Sequence, residues 1–324
     1  MPTYKEIKGT NVQNLSSDPA NPIAGQIWYN TTSNALKVSD GPQLKAWSTG
    51  GNLNIGKRRG GDAGTQTAAL IFGSQGAVAN TESYDGTSWT EVNDLNTGRF
   101  ALAGAGTQTA ALAIGGDLNT GTPEYFAGTE SWDGTSWTEV NDLNTARKSL
   151  GGAGVQTSAL AFGGFAVALP YLAVTESWNG TSWTEVNDLN TNRLGMAAAG
   201  TGNTSVLTFG GTLPGATGVT ESWNGTSWTE VNDLNTARRY LAGAGTQTAA
   251  LGFGGYTPFL AVTEEWNGSS WTEVNDLGTA RYGLGGAGTQ TAALAFGGLD
   301  PAYGTSTATE EFSATGGTRT ITAS

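Results

Sequence analysis

The sequence predicts an all-β protein, a six-bladed β-propeller with a short N-terminal β-hairpin extension, and three observations support this. A unit of 42 to 48 residues recurs along the 324-residue chain, a period typical of propeller blades with about four short strands each. Each unit contains Asp-Gly or Asn-Gly between segments of alternating polarity, which predicts hairpins. The 50 glycines recur at similar places in each unit and only 9 prolines occur, which favours many tight turns over a disordered chain.

One tryptophan in each unit marks the period. These tryptophans are separated by 42, 48, 46, 45 and 43 residues. They are Trp47, Trp89, Trp137, Trp183, Trp228 and Trp271. Because large aromatic rings supply much of the apolar surface that a core can bury, we expect them to lie between neighbouring blades.

Two hairpins are predicted in each unit. In the outer hairpin Asp133-Gly134 follows Trp132, and a two-residue type I′ turn would place Trp132 opposite Thr135 and Glu130 opposite Trp137. The inner hairpin joins Gly104-Ala105-Gly106 to the apolar segment that begins at Ala111. Such small residues suit crowded strands around a propeller axis.

The ends of the chain determine how the ring closes. The inner hairpin occurs six times, whereas the outer hairpin is complete in five units. In the sixth unit, residues 309–312 are expected to form the third strand and residues 46–48 the fourth, with residues 318–323 as the rival fourth strand. We therefore predict an N-terminal attachment segment with linker and hairpin at residues 1–45. Residues 46–324 are predicted to form the propeller, closed by pairing of the N- and C-terminal strands.

The apolar strand that ends in a glycine pair carries a family resemblance. Examples are Ile114-Gly115-Gly116 and Phe162-Gly163-Gly164, each followed by an aromatic strand, a turn and a tryptophan strand. This pattern resembles kelch repeats from about residue 57 to residue 312. The spacing from the aromatic residue to the tryptophan is shorter than in the usual kelch hairpin, so the resemblance is to a kelch-like variant. It implies a β-propeller.

Composition excludes several functional classes. The formal net charge of −12 disfavours binding to nucleic acid or to an anionic membrane. The chain has no cysteine and no histidine, which removes thiolate and imidazole catalysis and the usual zinc ligands. No apolar segment has the length of a membrane span or signal peptide. We expect no cofactor, no membrane insertion, and synthesis in a cytoplasm.

Charged residues that recur in every unit are interpreted as scaffold. An arginine follows each tryptophan by ten or eleven residues. The arginines are Arg58, Arg99, Arg147, Arg193, Arg238 and Arg281, and the matching glutamates are Glu82, Glu130, Glu176, Glu221 and Glu264. Each arginine is expected to tie a blade connection to a neighbouring acidic or carbonyl group. The repeated Asn-Asp pairs, such as Asn93-Asp94, are expected to cap turns rather than bind calcium.

The residues that do not repeat are the candidates for binding. They lie in the links between second and third strands and directly after each repeated arginine, which places them at one end of the blades. Variable loops on a rigid scaffold commonly carry recognition. The candidate partner-binding residues are Phe100, Tyr125, Tyr171, Arg239, Tyr240, Tyr256, Phe259 and Tyr282.

The N-terminal segment carries a second resemblance. Gly25 to Val38 reads as an aromatic strand, a polar turn and a second strand, and it resembles a short hairpin in tail-fibre and other virion proteins of bacteriophages. The resemblance implies a non-catalytic virion component, on tail or capsid, attached to other virion proteins through this segment. Its propeller would bind a host-surface glycan or a neighbouring virion protein. The alternative is a polysaccharide-active or lectin-like propeller enzyme.

Overall fold

The structure is a computed structural model and describes residues 12–19, 26–39, 44–120, 125–167, 170–315 and 318–320. These residues form strands and turns and contain no helix, so none of them forms a membrane-spanning helix. The all-β prediction is confirmed. The chain divides into two compact units, one from Ala46 to Phe312 and the other combining Met1–Lys45 with Ser313–Ser324.

The smaller unit contains a four-stranded sheet. Its strands are β1 (Gln13–Leu15), β2 (Ile27–Asn30), β3 (Ala35–Ser39) and a last strand, Thr318–Thr320. Strands β2 and β3 form the expected antiparallel hairpin, whereas β1 is parallel to β2. Buried Trp28 donates its indole N–H to Asp18 Oδ1 at 3.0 Å. The polar, proline-containing stretch at residues 14–22 is the linker that the sequence predicts, and its residues 20–22 lie outside the described residues.

The larger unit contains six four-stranded antiparallel sheets, which are the blades. After β4 (Leu44–Thr49), the first blade is β5 (Gly61–Thr65), β6 (Ala68–Ser74), β7 (Val78–Tyr84) and β8 (Trp89–Val92). The second is β9 (Ala103–Thr107), β10 (Ala110–Asp117), β11 (Tyr125–Trp132) and β12 (Trp137–Val140). The third is β13 (Gly151–Val155), β14 (Ser158–Phe162), β15 (Thr175–Trp178) and β16 (Trp183–Val186).

The remaining blades repeat this order. The fourth is β17 (Ala197–Gly202), β18 (Ser205–Phe209), β21 (Thr220–Trp223) and β22 (Trp228–Val231), with the small hairpin β19 (Thr212–Leu213) and β20 (Gly215–Ala216) in its link. The fifth is β23 (Ala242–Thr246), β24 (Ala249–Phe253), β25 (Thr263–Trp266) and β26 (Trp271–Val274). The sixth combines β27 (Gly285–Gly288), β28 (Ala292–Phe296) and β29 (Thr309–Thr315) with β4.

Strand β4 therefore closes the ring from the N-terminal side. The rival strand after Thr318 instead pairs with β3 in the smaller unit, as β30 (Thr318–Thr320). This pairing groups the residues after Phe312 with the smaller unit, whereas the sequence predicts a propeller that extends to residue 324.

The outer hairpin has a different register from the one expected. Trp132 pairs with Trp137, and Glu130 pairs with Glu139, so four residues form the loop instead of two. Asp133 Oδ1 accepts hydrogen bonds from the backbone N–H groups of Thr135 and Ser136, each at 2.8 Å. Because this side chain closes the turn, only Gly134 takes a positive φ, of 92°, and the type I′ prediction is wrong.

Tryptophans pack between blades, as predicted. Trp137 is 5% exposed, and its ring centroid lies 4.8 Å from that of Phe72 in the preceding blade. Its indole N–H donates to Thr81 Oγ1 at 3.2 Å. The same indole-to-threonine bond joins Trp47 to Thr263, Trp89 to Thr309, Trp183 to Thr129, Trp228 to Thr175 and Trp271 to Thr220. Each interface thus combines apolar burial with a satisfied indole.

Buried ion pairs hold each blade connection to the blade that it enters. Arg147 Nη2 lies 3.2 Å from Glu176 Oε1, and both side chains are fully buried. Equivalent pairs join Arg99 to Glu130, Arg193 to Glu221, Arg238 to Glu264 and Arg281 to Glu310. The scaffold interpretation of the repeated arginines and glutamates thus agrees with these contacts.

In the first blade a lysine replaces the repeated arginine. Lys57 is 1% exposed and donates from Nζ to Asn80 O at 2.8 Å. Assignment of this position to Arg58 from the sequence is wrong by one residue, because the ten-residue interval from Trp47 ends at Lys57. Arg58 instead occupies the position of Phe100 in the second blade.

Repeated polar side chains at the inner hairpin turns and after the fourth strands bond within and across blades. Gln156 Nε2 donates to Trp132 O and to Ser131 Oγ of the preceding blade. Asn141 Nδ2 donates to Thr181 O of the following blade at 2.8 Å, and Asp142 Oδ1 accepts from Thr129 N. The repeated Asn-Asp pairs are therefore structural, and the described residues contain no cluster of three acidic side chains suited to a metal ion.

Candidate binding face

The end of the blades opposite the hairpin turns is called the variable face here. It consists of the residues directly after each buried arginine or lysine and of the links between second and third strands. These two segments meet in isolated antiparallel bridges. The bridges pair Phe100 with Asp117, Lys148 with Phe165, Leu194 with Thr212, Arg239 with Tyr256 and Tyr282 with Leu299. The side chains that differ from blade to blade therefore extend from backbone segments that are fixed by these bridges.

A closed circle of backbone hydrogen bonds surrounds the mouth of the central channel. One residue of each blade donates its N–H to the equivalent carbonyl of the preceding member, at 2.6 to 2.9 Å. In order, the residues are Arg59, Ala101, Ser149, Gly195, Tyr240 and Gly283. All six have φ between 52° and 64°. Non-glycine residues rarely adopt this conformation, and here the hydrogen-bonded circle stabilises it.

Two large side chains cover this mouth. The Arg59 guanidinium donates to Ser149 Oγ at 2.7 Å, and its carbon lies 4.6 Å from the centre of the Tyr240 ring. A Cβ atom at Gly195 would lie 2.6 Å from the Tyr240 ring, and one at Gly283 would lie 3.0 Å from Arg59 Cγ. The two glycines therefore make room for the two covering side chains.

Beneath the mouth lies a cavity of about 140 Å³. Its wall consists mainly of the small residues of the innermost strands. Among the described residues of this wall, Asp62 is the single carboxylate. It stands at a position where the other blades have Gly104, Gly152, Ala198, Gly243 and Gly286. Sequence reasoning missed Asp62, although its departure from the repeat was a visible signal.

Burial raises the pKa of Asp62 to about 7. The hydrogen bond that its Oδ2 accepts from Gly286 N, at 3.3 Å, opposes this effect weakly. Asp62 is partly exposed and lines the cavity. Near neutral pH this carboxyl group therefore titrates between its neutral and its ionised form.

Five of the candidate residues lie together. Tyr256 is 5.5 Å from Phe259 and 4.9 Å from Tyr282, measured between ring centroids, and Tyr240 is 6.2 Å from Tyr282. The Arg239 guanidinium lies 5.3 Å from the Tyr256 ring centre. This group is called the aromatic cluster. Most of its rings are partly exposed, so they offer flat apolar surface beside hydroxyl groups.

The other three candidates lie elsewhere on the variable face. Phe100 is 6% exposed, with Arg59 at 5.6 Å from its ring centre. Tyr125 forms a second group, in which its centroid lies 5.5 Å from that of Phe165 and 4.6 Å from Lys148 Nζ. Tyr171 has no ring contact within the described residues, and its carbonyl accepts a weak bond from Asn192.

Sequence reasoning also missed Arg59 and Tyr303. Tyr303 is 76% exposed and extends the aromatic cluster, with its centroid 5.6 Å from that of Phe259. It lies in the link of the sixth blade, which the sequence predicts to be variable, so its aromatic side chain was the available signal. Arg59 gave no separate signal because it directly follows Arg58, which the spacing assigns to the repeated arginines.

Comparison with known proteins supports the fold. No family model matches the chain, and no curated protein matches it. The chain is similar to the solved structure of YjhT, with a TM-score of 0.70 and 12% sequence identity. The similarity covers 84% of this chain and 100% of YjhT. At this identity the likeness shows the fold alone, and together with the six blades it establishes a β-propeller.

Proposed function

We propose that this protein is a non-catalytic binding component of a bacteriophage virion. In this proposal the smaller unit attaches to other virion proteins, and the variable face of the propeller binds a host-surface glycan. The observation that carries the proposal is the aromatic cluster. It collects Tyr240, Tyr256, Phe259, Tyr282 and exposed Tyr303 at one place, although the five residues come from four separate stretches of the chain.

The chemistry of this cluster suits a sugar ligand. Partly exposed tyrosine rings present an apolar surface on which a sugar ring can stack, and their hydroxyl groups can exchange hydrogen bonds with sugar hydroxyls. Tyrosine and arginine are also the residue types that most often dominate binding energy at interfaces. The end of the blades that carries the hairpin turns, called the repeated end, offers no comparable cluster among the described residues, since its polar side chains bond to neighbouring blades.

The virion part of the proposal is supported by the N-terminal segment. The stretch that resembles a hairpin of tail-fibre and virion proteins contains β2 and β3, which pair from Ile27–Val38 to Asn30–Ala35. The same segment supplies most of the smaller unit. A virion component with a kelch-like propeller would thus use one unit for attachment and the other for recognition.

Asp62 is the observation that favours the alternative, a polysaccharide-active propeller enzyme. A carboxyl group whose pKa lies near 7 is suited to proton transfer. Hydrolysis of a glycosidic bond normally needs two carboxyl groups, whereas the described cavity wall carries only Asp62. For this reason we favour binding over catalysis.

Substitution on the variable face tests the binding proposal. We expect a full-length chain with Tyr171, Tyr240 and Phe259 changed to Ser to enter particles but to lose adsorption to host cells. Val155→Ser, at a turn of the repeated end, is the matched control and should adsorb like the parent. Adsorption of the triple variant at the parental level would contradict the proposal.

Location is tested on purified particles. Mass spectrometry should detect the chain in particles, and a tagged copy should be visible on tail or capsid by electron microscopy. Absence of the chain from purified particles would overturn the virion assignment. Incubation of the pure protein with polysaccharides, followed by analysis for shortened products, tests the enzyme alternative. Shortened products would support the enzyme, whereas intact polysaccharide would support binding alone.

A further inference from the structure

The distribution of cations in the propeller is uneven. Residues 46–312 contain ten lysines and arginines. Six of them are buried between blades, namely Lys57, Arg99, Arg147, Arg193, Arg238 and Arg281. The remaining four are Arg58, Arg59, Lys148 and Arg239. All four lie on the variable face, around the mouth of the channel, in a protein whose net charge is −12.

Within the part of the chain that the structure describes, three of these four cations lack a carboxylate partner. Lys148 Nζ pairs with Asp117 Oδ2 at 2.7 Å. For Arg58, Arg59 and Arg239, no carboxylate of the described residues lies within ion-pair distance. The charges of these three arginines are therefore not balanced by a neighbouring carboxylate of the described residues.

Two of the unpaired guanidinium groups converge on one ring. The guanidinium carbon of Arg59 lies 4.6 Å from the centre of the Tyr240 ring, and that of Arg239 lies 5.8 Å from it. Two positive charges that contact the same ring repel each other. The Tyr240 ring offsets part of this repulsion through cation–π contacts, and an anion bound by both guanidinium groups would offset more of it.

We infer that Arg59, Arg239 and Tyr240 form a binding site for an anionic group of an acidic glycan. The inference rests on the proposed function, because the aromatic cluster would supply the sugar contacts. A guanidinium binds a carboxylate or sulfate through paired N–H donors, and the neighbouring rings of Tyr256 and Tyr282 would stack on the adjoining sugars. The cluster continues from Tyr240 to these rings, so one chain of sugars can contact both.

Matched ligand pairs test the role of charge. Isothermal titration with the full-length protein would compare dextran sulfate with dextran, and oligogalacturonate with oligogalactose, since the members of each pair differ in anionic groups. We expect binding of at least one anionic probe and weaker binding of its neutral counterpart. Equal affinity for both members of each pair, or binding of none, would overturn the inference.

Substitutions identify the residues. Arg59→Gln and Arg239→Gln should each weaken binding of the anionic probe about tenfold or more, because each removes a charge-assisted hydrogen bond. The control is Lys37→Gln in β3, which removes the same charge from the smaller unit and should leave affinity unchanged. Melting temperatures confirm that the variants fold. Parental affinity in the double arginine variant would contradict the site.

The result separates this inference from the proposed function. Pure protein and defined polysaccharides report only on the anion site, whereas particle adsorption reports on the binding role. If the triple variant of the variable face abolishes adsorption while the arginine variants bind every probe like the parent, the anion site alone is wrong. If the protein is absent from particles but binds anionic probes through Arg59 and Arg239, the virion assignment alone is wrong.

Discussion

At the end of the blades that carries the hairpin turns, polar side chains bond across blades. Gln156 donates to Trp132 O of the preceding blade, and the turn carbonyl of Thr181 accepts from Asn141, which follows the last strand of the preceding blade. At the opposite end, Arg239 and Arg59 lie over tyrosine and phenylalanine rings, and no carboxylate of the described residues pairs with them. The first end uses its polar groups for bonds between blades, whereas the second leaves two arginine charges without a carboxylate partner among the described residues.

This difference indicates what each half of the repeat unit does. A residue that recurs in every blade meets the same neighbour in every interface, so a substitution there disturbs the ring. A residue that differs between blades does not make this repeated contact, so it can change without disturbing the other interfaces. Stability should therefore depend mainly on the repeated residues and binding on the variable ones. Four changes, from the largest expected effect to the smallest, test that division and its exception at Asp62, an inner-strand residue that departs from the repeat.

Trp183→Ala should have the largest effect. The Trp183 side chain is 6% exposed and packs in a core cluster with Ile114 of the preceding blade. Its truncation should lower the free energy of unfolding by about 3–5 kcal/mol, because a large buried ring leaves a cavity. Denaturant unfolding measures the change. Tyr303→Ala on the variable face is the control, expected within about 0.5 kcal/mol of the parent; equal losses in the two variants would refute the division.

Glu176→Gln tests the buried ion pairs. Burial lowers the pKa of Arg147, and the Glu176 carboxylate opposes this shift. Without that carboxylate the buried guanidinium lacks its counter-charge, so we expect a loss of about 3 kcal/mol. Glu185→Gln is the matched control, because Glu185 pairs with Glu176 across the hairpin but is exposed. An unchanged unfolding midpoint for Glu176→Gln would show that the pair contributes nothing.

Asp62→Asn should raise stability in a pH-dependent manner. The pKa of Asp62 is raised from 3.8 to about 7, so the folded protein retains a proton that the unfolded chain releases. The resulting loss of stability in the parent is absent below pH 3.8 and complete above pH 7, where the folded parent holds a buried negative charge. We expect the variant to be more stable than the parent by about 2 kcal/mol at pH 8. This is half of the free energy that corresponds to the full pKa shift, because the carboxyl group is partly exposed.

A measurement of the free energy of unfolding at pH 5 serves as the internal control for Asp62→Asn. The advantage of Asp62→Asn over the parent should be smaller at pH 5 than at pH 8, since the folded parent is then mostly protonated. A difference that is constant from pH 5 to pH 8 would show that the carboxyl group titrates normally. The asparagine amide oxygen can still accept the hydrogen bond from Gly286, so the comparison isolates charge.

Gln156→Ala should have the smallest effect on stability. It removes the hydrogen bonds to Trp132 O and Ser131 Oγ, worth about 1 kcal/mol in total for partly buried partners. Thermal unfolding measures the loss, and Thr184→Ala, an exposed position on the same blade, is the control. If Gln156→Ala instead weakened glycan binding without loss of stability, the repeated end would belong to the binding surface.

The fold was predictable because a repeat gives the same local signals many times. The tryptophan period, the paired glycines and the polar turns predicted six four-stranded blades and the closing strand around Trp47. The register of the outer hairpin was not predictable from Asp-Gly alone. Asp133 can close either a two-residue or a four-residue loop, and the pairing of Trp132 with Trp137 across the hairpin accompanies the longer one.

The sequence by itself determined which residues are free to differ, and hence that one end of the blades carries the candidates. Only the tertiary structure decided that Arg239, Tyr240, Tyr256, Phe259 and Tyr282 come together while Tyr125 and Tyr171 lie apart. Closure of the ring likewise brings Arg59 onto Tyr240, some 180 residues later in the chain. Local propensities do not encode such long-range contacts, because the contacts depend on packing of all six blades around one axis.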